Sequence, residues 1–453
     1  MPNLSLGVAG MHGQIGVGIT PRHAANFASA VGSYLEGGRV VIGCDTRYST
    51  PVLRHAVMAA LIGCGCEVID AGIAPAPAVQ YLTRELGADG ALLIGGAHHA
   101  AGWNSLVPVG ANGAVFNPVQ MQSLLDLYHS GRFRQVRYDA LGATTPAPAD
   151  WQDGYLAAIL APFDVAAIHA AGYTVVGDFT NGAGGELCAR LMERLGVKLI
   201  AINDNRIGVL PHDPEPRPRA SVQVQALIRP LAADLGFVVN SDMTRVALVT
   251  CSAETLSEEH TYPIVADQIL ARRGNPGTVV VNVCSSSALD HVVRLHDGEL
   301  LRTKVGQCHV VDSLHEASAC LGGEGCGSVV FPAVGPWYDA YGSLITVLEA
   351  MAQRGVTSSA LRARLLRRHI VKRKIPCANS RGYSLVHRLH DAFPDADRDE
   401  TDGLRFDFQE GWVHLRVSST EPAVRLIVEW VDVEGAQAMA TRVRALIERQ
   451  NVG

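Results

Sequence analysis

The sequence has little of several features that mark particular classes of protein. Aromatic residues make up 6% of its 453 residues, and the formal net charge is −6. No apolar run reaches the 18 residues of a membrane-spanning helix, and the first residues lack the basic and apolar regions of a secretory signal. A negative chain has no global attraction for nucleic acid or an anionic membrane. We therefore expect no nucleic acid and no membrane among the partners, and a cytoplasmic location.

The ten cysteines show no disulfide framework and no zinc pattern. Cys188, Cys284 and Cys320 lie in apolar segments, where a free thiol behaves as a small hydrophobic group. Cys64 and Cys66 form a pair, but no second pair completes a set of zinc ligands. We expect reduced thiols.

The residues that are abundant predict aliphatic cores and tight loops. Hydrophobic residues reach 48%, glycine occurs 46 times, and the length suits two to four domains of about 150 residues. Short β-rich runs alternate with helical patterns, as in "GRVVIGCDTR", "PVLRHAVMAALIGCG" and "DGALLIGG". The pattern restarts at Tyr173 and Tyr262, which predicts three related α/β domains with parallel sheets.

The pattern changes near residue 370. The segment "GLRFDFQEGWVHLRV" is typical of β-hairpins, and the chain closes with a helical pattern, so a smaller α+β domain is predicted. The basic segment from Arg362 to Lys374 precedes it. We interpret that segment as a solvated helix face and interdomain linker, with a phosphate-attracting rim as the alternative.

The strongest local motif is "RVSSTEPAVR", from Arg416 to Arg425. Two guanidinium groups suit the geometry of a phosphate, and the hydroxyls of Ser418 and Thr420 would satisfy its remaining oxygens. Without further context, an ordinary β-turn with surface charges fits the motif equally well.

This motif resembles the phosphate-binding loop of the α-D-phosphohexomutases, the phosphomannomutase, phosphoglucomutase and phosphoglucosamine mutase family. The resemblance continues in order along nearly the whole chain, through "GVAGMHG", "GCDTR", "GDFTNGAGG", "RTKVG" and "GGEGCG". It implies an α/β protein of four domains around a central cleft: three similar α/β domains and a C-terminal α+β domain that binds phosphate. The boundaries expected are 1–150, 151–255, 256–370 and 371–453.

The departures from the family pattern fall on its chemistry. The family's catalytic loop reads Thr-Ala-Ser-His-Asn-Pro, and here loop 95–104 places Ala97 at the position of the phosphoserine. A methyl group cannot carry a phosphoryl group. The family's metal loop Asp-Gly-Asp-Ala-Asp-Arg becomes 240–245, where Asn240 and Thr244 replace two carboxylates and Asp242 remains. Because Mg²⁺ favours carboxylate oxygens, we expect no cofactor, and Mg²⁺ at most weakly at Asp242.

The phosphate-docking residues that the resemblance implies are kept. The arginine of the N-terminal motif is replaced by His12, and the sugar-recognition loop 322–328 keeps only Glu324 of its sugar-binding side chains. The retained positions are Asp45, Arg47, Lys304, Glu324, Arg416, Ser418, Thr420, Glu421 and Arg425. The resemblance implies that Arg47, Lys304, Glu324 and the C-terminal loop 416–425 bind the substrate and its phosphate.

Three functions remain open at this point. The first is a divergent phosphohexomutase that binds a phosphorylated sugar or related phospho-metabolite and is not a conventional mutase. The second is an active sugar-phosphate mutase or phosphotransferase in which His98 or His99 serves as phosphoryl carrier or general base. The third is an interaction or regulatory protein with an occluded cleft, with a protein partner or a second copy of the chain. Cys326 is interpreted as a packing residue, with nucleophile as the alternative.

Overall fold

The computed structural model describes residues 4–274, 276–377, 379–418 and 423–451. Thr420 and Glu421 of the predicted phosphate loop lie outside these residues. The described chain forms four β-sheets, and helices flank them. All ten cysteines are free thiols. Among the described residues no single helix is long and apolar enough to cross a membrane; one bent pair, Trp151–Leu160 with Val165–Ala171, reaches that length only jointly.

The first domain is built on a seven-stranded sheet in the order β1-β2-β6-β5-β3-β4-β7. Its elements are β1 (Leu4–Gly7), β2 (Gly10–Gln14), α1 (Pro21–Tyr34), β3 (Arg39–Cys44), α2 (Thr50–Gly63), β4 (Glu67–Ile73), α3 (Ala76–Glu85), β5 (Gly90–Gly95), β6 (Trp103–Gly110), α4 (Pro118–Ser130) and β7 (Thr144–Pro146).

The second domain has a four-stranded sheet in the order β11-β10-β8-β9. Its elements are α5 (Trp151–Leu160), α6 (Val165–Ala171), β8 (Thr174–Asp178), α7 (Gly185–Arg194), β9 (Lys198–Ile202), α8 (Val222–Ile228), β10 (Leu235–Val239) and β11 (Val246–Thr250). The third domain has the sheet order β13-β12-β14-β15. Its elements are α9 (Thr261–Arg273), β12 (Thr278–Asn282), α10 (Ser287–Leu295), β13 (Glu299–Thr303), α11 (Gln307–Glu316), β14 (Leu321–Glu324), β15 (Ser328–Val330), α12 (Ala340–Arg354) and α13 (Ser358–Ala363).

The three α/β domains share one four-stranded arrangement. Three parallel strands are followed by one antiparallel strand: β6 beside β5, β11 beside β10 and β15 beside β14. The strands β11 and β15 lie at the edges of their sheets, whereas β6 lies between β5 and β2. The prediction of parallel sheets was therefore wrong for these strands. The connections 96–102, 240–245 and 325–327 are too short for a parallel crossover, which needs a dozen or more residues. Each domain consequently presents one hairpin loop at an equivalent position.

The C-terminal domain is an antiparallel sheet of five strands in the order β16-β20-β19-β18-β17. Its elements are β16 (His369–Pro376), α14 (Asn379–Arg388), β17 (Asp397–Asp399), β18 (Leu404–Asp407), β19 (Gly411–Val417), β20 (Ala423–Trp430) and α15 (Val433–Asn451). The basic segment is thus not one solvated helix face. Its second half is strand β16, which pairs with β20 along its whole length.

Hydrophobic packing divides the molecule unevenly. The C-terminal domain has a core of its own, centred on Phe406, Val413 and Leu426. The second and third domains instead share one continuous core, in which Phe237 and Tyr341 are fully buried and to which helix α3 of the first domain contributes. The first domain has a further core of its own. The three α/β domains meet the C-terminal domain around a central cleft.

Candidate ligand-binding cleft

The hairpin loops of the three α/β domains open on one cleft of about 790 Å³. His98 from the first domain, Asp242 from the second and Glu324 from the third line it together. Arg416 and Arg425 of the C-terminal domain line it as well. The fold therefore brings the predicted catalytic, metal, sugar and phosphate loops to a single site.

The strand register of the C-terminal domain creates a row of three cations, Lys374, Arg425 and Arg416, which we call the phosphate row. Lys374 on β16 lies opposite Arg425 on β20, and Arg425 lies opposite Arg416 on β19. All three line the cleft. Arg416 Nε lies 3.6 Å from a carboxylate oxygen of Asp402, which offsets part of the positive charge of the row. Like charges opposite each other destabilise a sheet, and an anion bound at the row would offset more of this charge. The sequence analysis did not place Lys374 in the cleft, because the sequence shows no sign of its strand register.

Two further predicted residues lie near the phosphate row. Ser418 is 3% exposed, lines the cleft, and is fixed where its backbone N–H donates to the carbonyl of Ala423. Lys304 also lines the cleft, and its ammonium group has no hydrogen bond or ion pair with any other described residue. No hydrogen bond or ion pair to a described residue therefore holds this ammonium group away from an anion in the cleft.

Glu324 is held in one orientation at the end of β14. Its Oε1 accepts from Asn282 Nδ2 at 2.7 Å and from the backbone N–H of Gly306 at 2.9 Å. The carboxylate is 6% exposed and lines the cleft. Such a fixed acceptor suits sugar hydroxyls. Asn282, which aims it, carried no motif in the sequence.

Arg47 is not available to a ligand, contrary to the prediction. Its side chain is 1% exposed and its Nε donates to Asp45 at 3.1 Å. The remaining guanidinium N–H groups donate to backbone carbonyls of the catalytic loop, at 2.6 Å to His99 and 2.7 Å to Ala100, with longer contacts to Ala97 and Trp103. Arg47 therefore shapes the loop from beneath and does not bind phosphate from this position.

Ala97 occupies the turn at which the resemblance places the phosphoserine. Its φ of 45° is in the left-handed region, which a residue with a Cβ adopts at a cost. Ser241 holds this turn from the second domain, because its hydroxyl donates to the Ala97 carbonyl at 2.8 Å. The backbone of a reactive turn is thus present without a nucleophilic side chain.

Three histidines surround this turn. His99 lies between His98 and His12, with ring centroids 4.3 and 5.4 Å away, and it stacks on Trp103. Burial lowers the pKa of His99 to about 3, and burial followed by the nearby Arg245 guanidinium lowers the pKa of His98 well below its usual value. These imidazoles are therefore neutral at pH 7. His98 lines the cleft, with Arg425 close enough across it to lower its pKa further.

The predicted metal loop is closed by its own hydrogen bonds. One side-chain atom of Asn240 accepts from the backbone N–H groups of Thr244 and Arg245, each at 3.0 Å, so that atom is the oxygen. The amide nitrogen of Asn240 then donates to the Thr244 hydroxyl at 2.8 Å, which donates to Asp242 Oδ1 at 2.7 Å. Two donors thus lie where Mg²⁺ would need acceptors, and these residues do not fit the ion.

Two ion pairs join the C-terminal domain to the third domain beside the cleft. Lys372 on β16 lies 2.7 Å from carboxylate oxygens of both Glu258 and Glu259.

Cys326 lies in the sugar loop, with its sulfur 3.4 Å from the Ser328 hydroxyl. Burial raises the pKa of Cys326 to about 11, so it stays a thiol and its interpretation as a packing residue is favoured.

Comparisons with known proteins agree with this architecture. Four family models match in order: Phosphoglucomutase/phosphomannomutase alpha/beta/alpha domain I at residues 3–135, domain II at 153–252, domain III at 257–369 and the C-terminal domain at 374–446. The chain belongs to the phosphoglucomutase/phosphomannomutase family, the α-D-phosphohexomutases.

Individual relatives cover nearly the whole chain. It is 30% identical to a probable phosphoglucosamine mutase of Thermococcus gammatolerans, over 98% of both sequences. It is also 30% identical to a phosphoglucomutase/phosphomannomutase of Thermococcus kodakarensis, over 95% of both. Among solved structures, a phosphoglucomutase/phosphomannomutase family protein from Burkholderia thailandensis superposes with a TM-score of 0.84 at 24% identity, covering 99% of this chain and 97% of that one.

Proposed function

We propose that this protein binds a phosphorylated sugar in the central cleft and does not carry out the phosphoserine-dependent mutase reaction. The observation that carries the proposal is the phosphate row, because three aligned cations of the C-terminal domain line a cleft that also contains the fixed acceptor Glu324. Relatives named as sugar-phosphate mutases support the class of ligand.

Two loops together support the loss of the phosphoserine-dependent chemistry. Ala97 offers a methyl group at the turn where a phosphoryl carrier would stand. The loop 240–245 satisfies its own polar atoms and does not fit Mg²⁺. Phosphoryl transfer depends on compensation of the charge on the transferring group, and this arrangement supplies little. Phosphosugar binding without a metal is the activity that these residues support, and we expect it in the cytoplasm.

The open cleft bears on the remaining alternatives. A volume of about 790 Å³ leaves room for a sugar phosphate, so the structure gives no support to an occluded cleft. One observation favours the second alternative: His98 is neutral, lines the cleft and lies within electrostatic range of Arg245 and Arg425. A neutral imidazole is the nucleophilic form, so His98 is the residue to test as a carrier. Acid-labile phosphate on the protein, lost in His98→Gln, would establish this alternative.

The test of the main proposal is calorimetric titration with hexose and hexosamine phosphates. Arg425→Ala should weaken binding about tenfold to a hundredfold, because a charge-assisted hydrogen bond contributes roughly 1.5–3 kcal/mol. Arg444→Ala is the matched control, since Arg444 pairs with Glu448 on the exposed face of α15. Equal affinities for Arg425→Ala and the natural protein would overturn the phosphate row as the docking site.

A further inference from the structure

Part of the cleft wall is apolar. Leu93, Val107 and Val115 of the first domain line the cleft and are partly buried. Leu93 on β5 lies directly opposite Val107 on β6, and Val109, two residues further along β6, is bridged to Val115. Because opposite residues, and residues two apart in a strand, point to the same face of a sheet, the three side chains share one face. We call these three residues the apolar floor.

Helix α3 accounts for the opening of this face to the cleft. The same face continues into Ala91 and Val109, which are 0% exposed in the small core that α3 covers. The helix begins at Ala76, and Ala76 itself lines the cleft. The apolar floor is therefore the part of the sheet face that α3 leaves open to the cleft.

The polar groups beside the apolar floor are hydrogen-bonded within the first domain. The Ser105 hydroxyl donates to the carbonyl of Gly95. Asp45 accepts from the backbone N–H of Gly96 and from the Thr50 hydroxyl, each at 2.7 Å. A ligand hydroxyl over the floor would give up its hydrogen bonds to water for hydrocarbon side chains that cannot replace them, whereas an alkyl group would gain by leaving water.

The apolar floor and the phosphate row line the same cleft. Its volume of about 790 Å³ lies in the upper part of the range of about 300–1,000 Å³ that is typical of sites for drug-sized ligands. Beside the floor, Ala114 packs with Val310 and Tyr338 of the third domain, so the contact between these two domains closes the cleft there. The cleft thus has room for a group on the sugar in addition to a hexose phosphate.

Building on the proposed function, we infer that the apolar floor is a subsite for an aliphatic substituent of the phosphorylated sugar. The phosphate row binds the phosphate, Glu324 accepts from sugar hydroxyls, and the floor takes an alkyl or acyl chain. In a hexose 6-phosphate, carbons 1 and 2 lie at the end of the ring away from the phosphate, so the chain is carried there. The ligand class is accordingly an alkylated or acylated sugar phosphate.

The experiment measures affinity against chain length by calorimetry on the natural protein. The N-acetyl, N-butanoyl and N-hexanoyl derivatives of glucosamine 6-phosphate carry the chain on carbon 2, and methyl, butyl and hexyl glucoside 6-phosphates carry it on carbon 1. Charge is constant within each series. Each methylene that is buried on the floor should raise affinity about fourfold, so the longest ligand of at least one series should bind about tenfold or more tightly than the shortest.

The other outcomes separate the inference from the proposed function. Equal affinities along both series overturn the inference and leave the proposed function intact, because the sugar phosphate still binds. Binding of none of the six ligands overturns both.

A pair of variants tests the apolar floor as the site of the chain. Val107→Thr keeps the shape of the side chain and replaces one methyl group with a hydroxyl, so it should lower the ratio of longest-chain to shortest-chain affinity severalfold. Val119→Thr makes the same change on helix α4, at a side chain that is 74% exposed, and should leave the ratio unchanged. An unchanged ratio in Val107→Thr overturns the floor as the subsite. If Val107→Thr does not fold, the chain-length series on the natural protein decides.

Discussion

The guanidinium of Arg47 lies where a side chain on residue 96 would stand: a Cβ built on Gly96 would be 2.0 Å from Arg47 Cζ. The family pattern has alanine at this position, and here glycine provides the space that lets the arginine reach the loop carbonyls. Gly96 and the buried position of Arg47 beneath the catalytic loop therefore depend on each other.

Gly96→Ala should consequently lower the free energy of unfolding by roughly 1–3 kcal/mol, the usual cost of overpacking a buried site. Gly63→Ala is the control, because a Cβ there meets nothing within 4 Å and the residue ends helix α2. Urea denaturation of the two variants checks this. Equal stability of both would show that Arg47 moves aside without loss.

Removal of Glu324 should separate sugar recognition from phosphate recognition. Glu324→Ala should weaken binding of a hexose phosphate about tenfold or more and leave inorganic phosphate nearly unchanged, because in the proposed function the carboxylate accepts hydrogen bonds from the sugar hydroxyls. Glu316→Ala, an exposed residue of helix α11, is the control. Calorimetry with the two ligands decides, and a parallel loss for both would place Glu324 in phosphate binding or in folding.

Mg²⁺ should bind the loop 240–245 in the millimolar range or more weakly, since the polar atoms of the loop hydrogen-bond to one another.

Ala97→Ser alone should not restore mutase activity, because the loop 240–245 would still lack two carboxylates. Adding Asn240→Asp and Thr244→Asp should bring measurable Mg²⁺ binding, because two donors become acceptors. Micromolar affinity in the natural protein, lost in Asp242→Ala, would contradict this prediction, as would robust mutase turnover by the natural protein.

Acid should destabilise the fold through buried histidines. Burial lowers the pKa of His414 to about 4, against 6.5 when exposed, and its Nε2 is 2.7 Å from the carbonyl of Asp402. Because the pKa of His414 is lower in the folded state, the contribution of its neutral imidazole to the free energy of unfolding is complete above pH 6.5. That contribution is lost as the pH falls toward 4. The loss between pH 7 and pH 5 is about 2 kcal/mol for this group.

The measurement is urea denaturation at pH 7 and pH 5. His414→Gln should lose about 2 kcal/mol less over this interval than the natural protein. His129→Gln, an exposed residue at the end of helix α4, should follow the natural protein. If all three curves keep the same pH dependence, His414 does not remain neutral in the folded state.

Much of the fold could be predicted from the sequence because its signals are local. The alternation of strands and helices and the restarts at Tyr173 and Tyr262 correspond to strands and helices in the structure, and the four-domain α/β architecture is confirmed. The antiparallel strands β6, β11 and β15 were missed. Their direction depends on how far a connecting loop can reach, and hydrophobic periodicity carries no information on that.

The candidate site was predicted less completely. Motifs identified Arg416, Arg425 and Glu324, which the structure brings to one cleft. Lys374 was missed because its neighbours are set by strand register, and Arg47 was misplaced because a glycine elsewhere decides where its side chain lies. Such relationships join residues far apart in the chain, so no local pattern displays them.

The uneven division of the hydrophobic cores has a calorimetric consequence. Two domains that share one core cannot melt separately, whereas the C-terminal domain, with a core of its own, can open while the rest stays folded. Heating should therefore separate two transitions, one for the C-terminal domain that carries the phosphate row and one for the shared core of the second and third domains. A ligand that spans the cleft couples the two units, so binding should draw both transitions toward a single, later one.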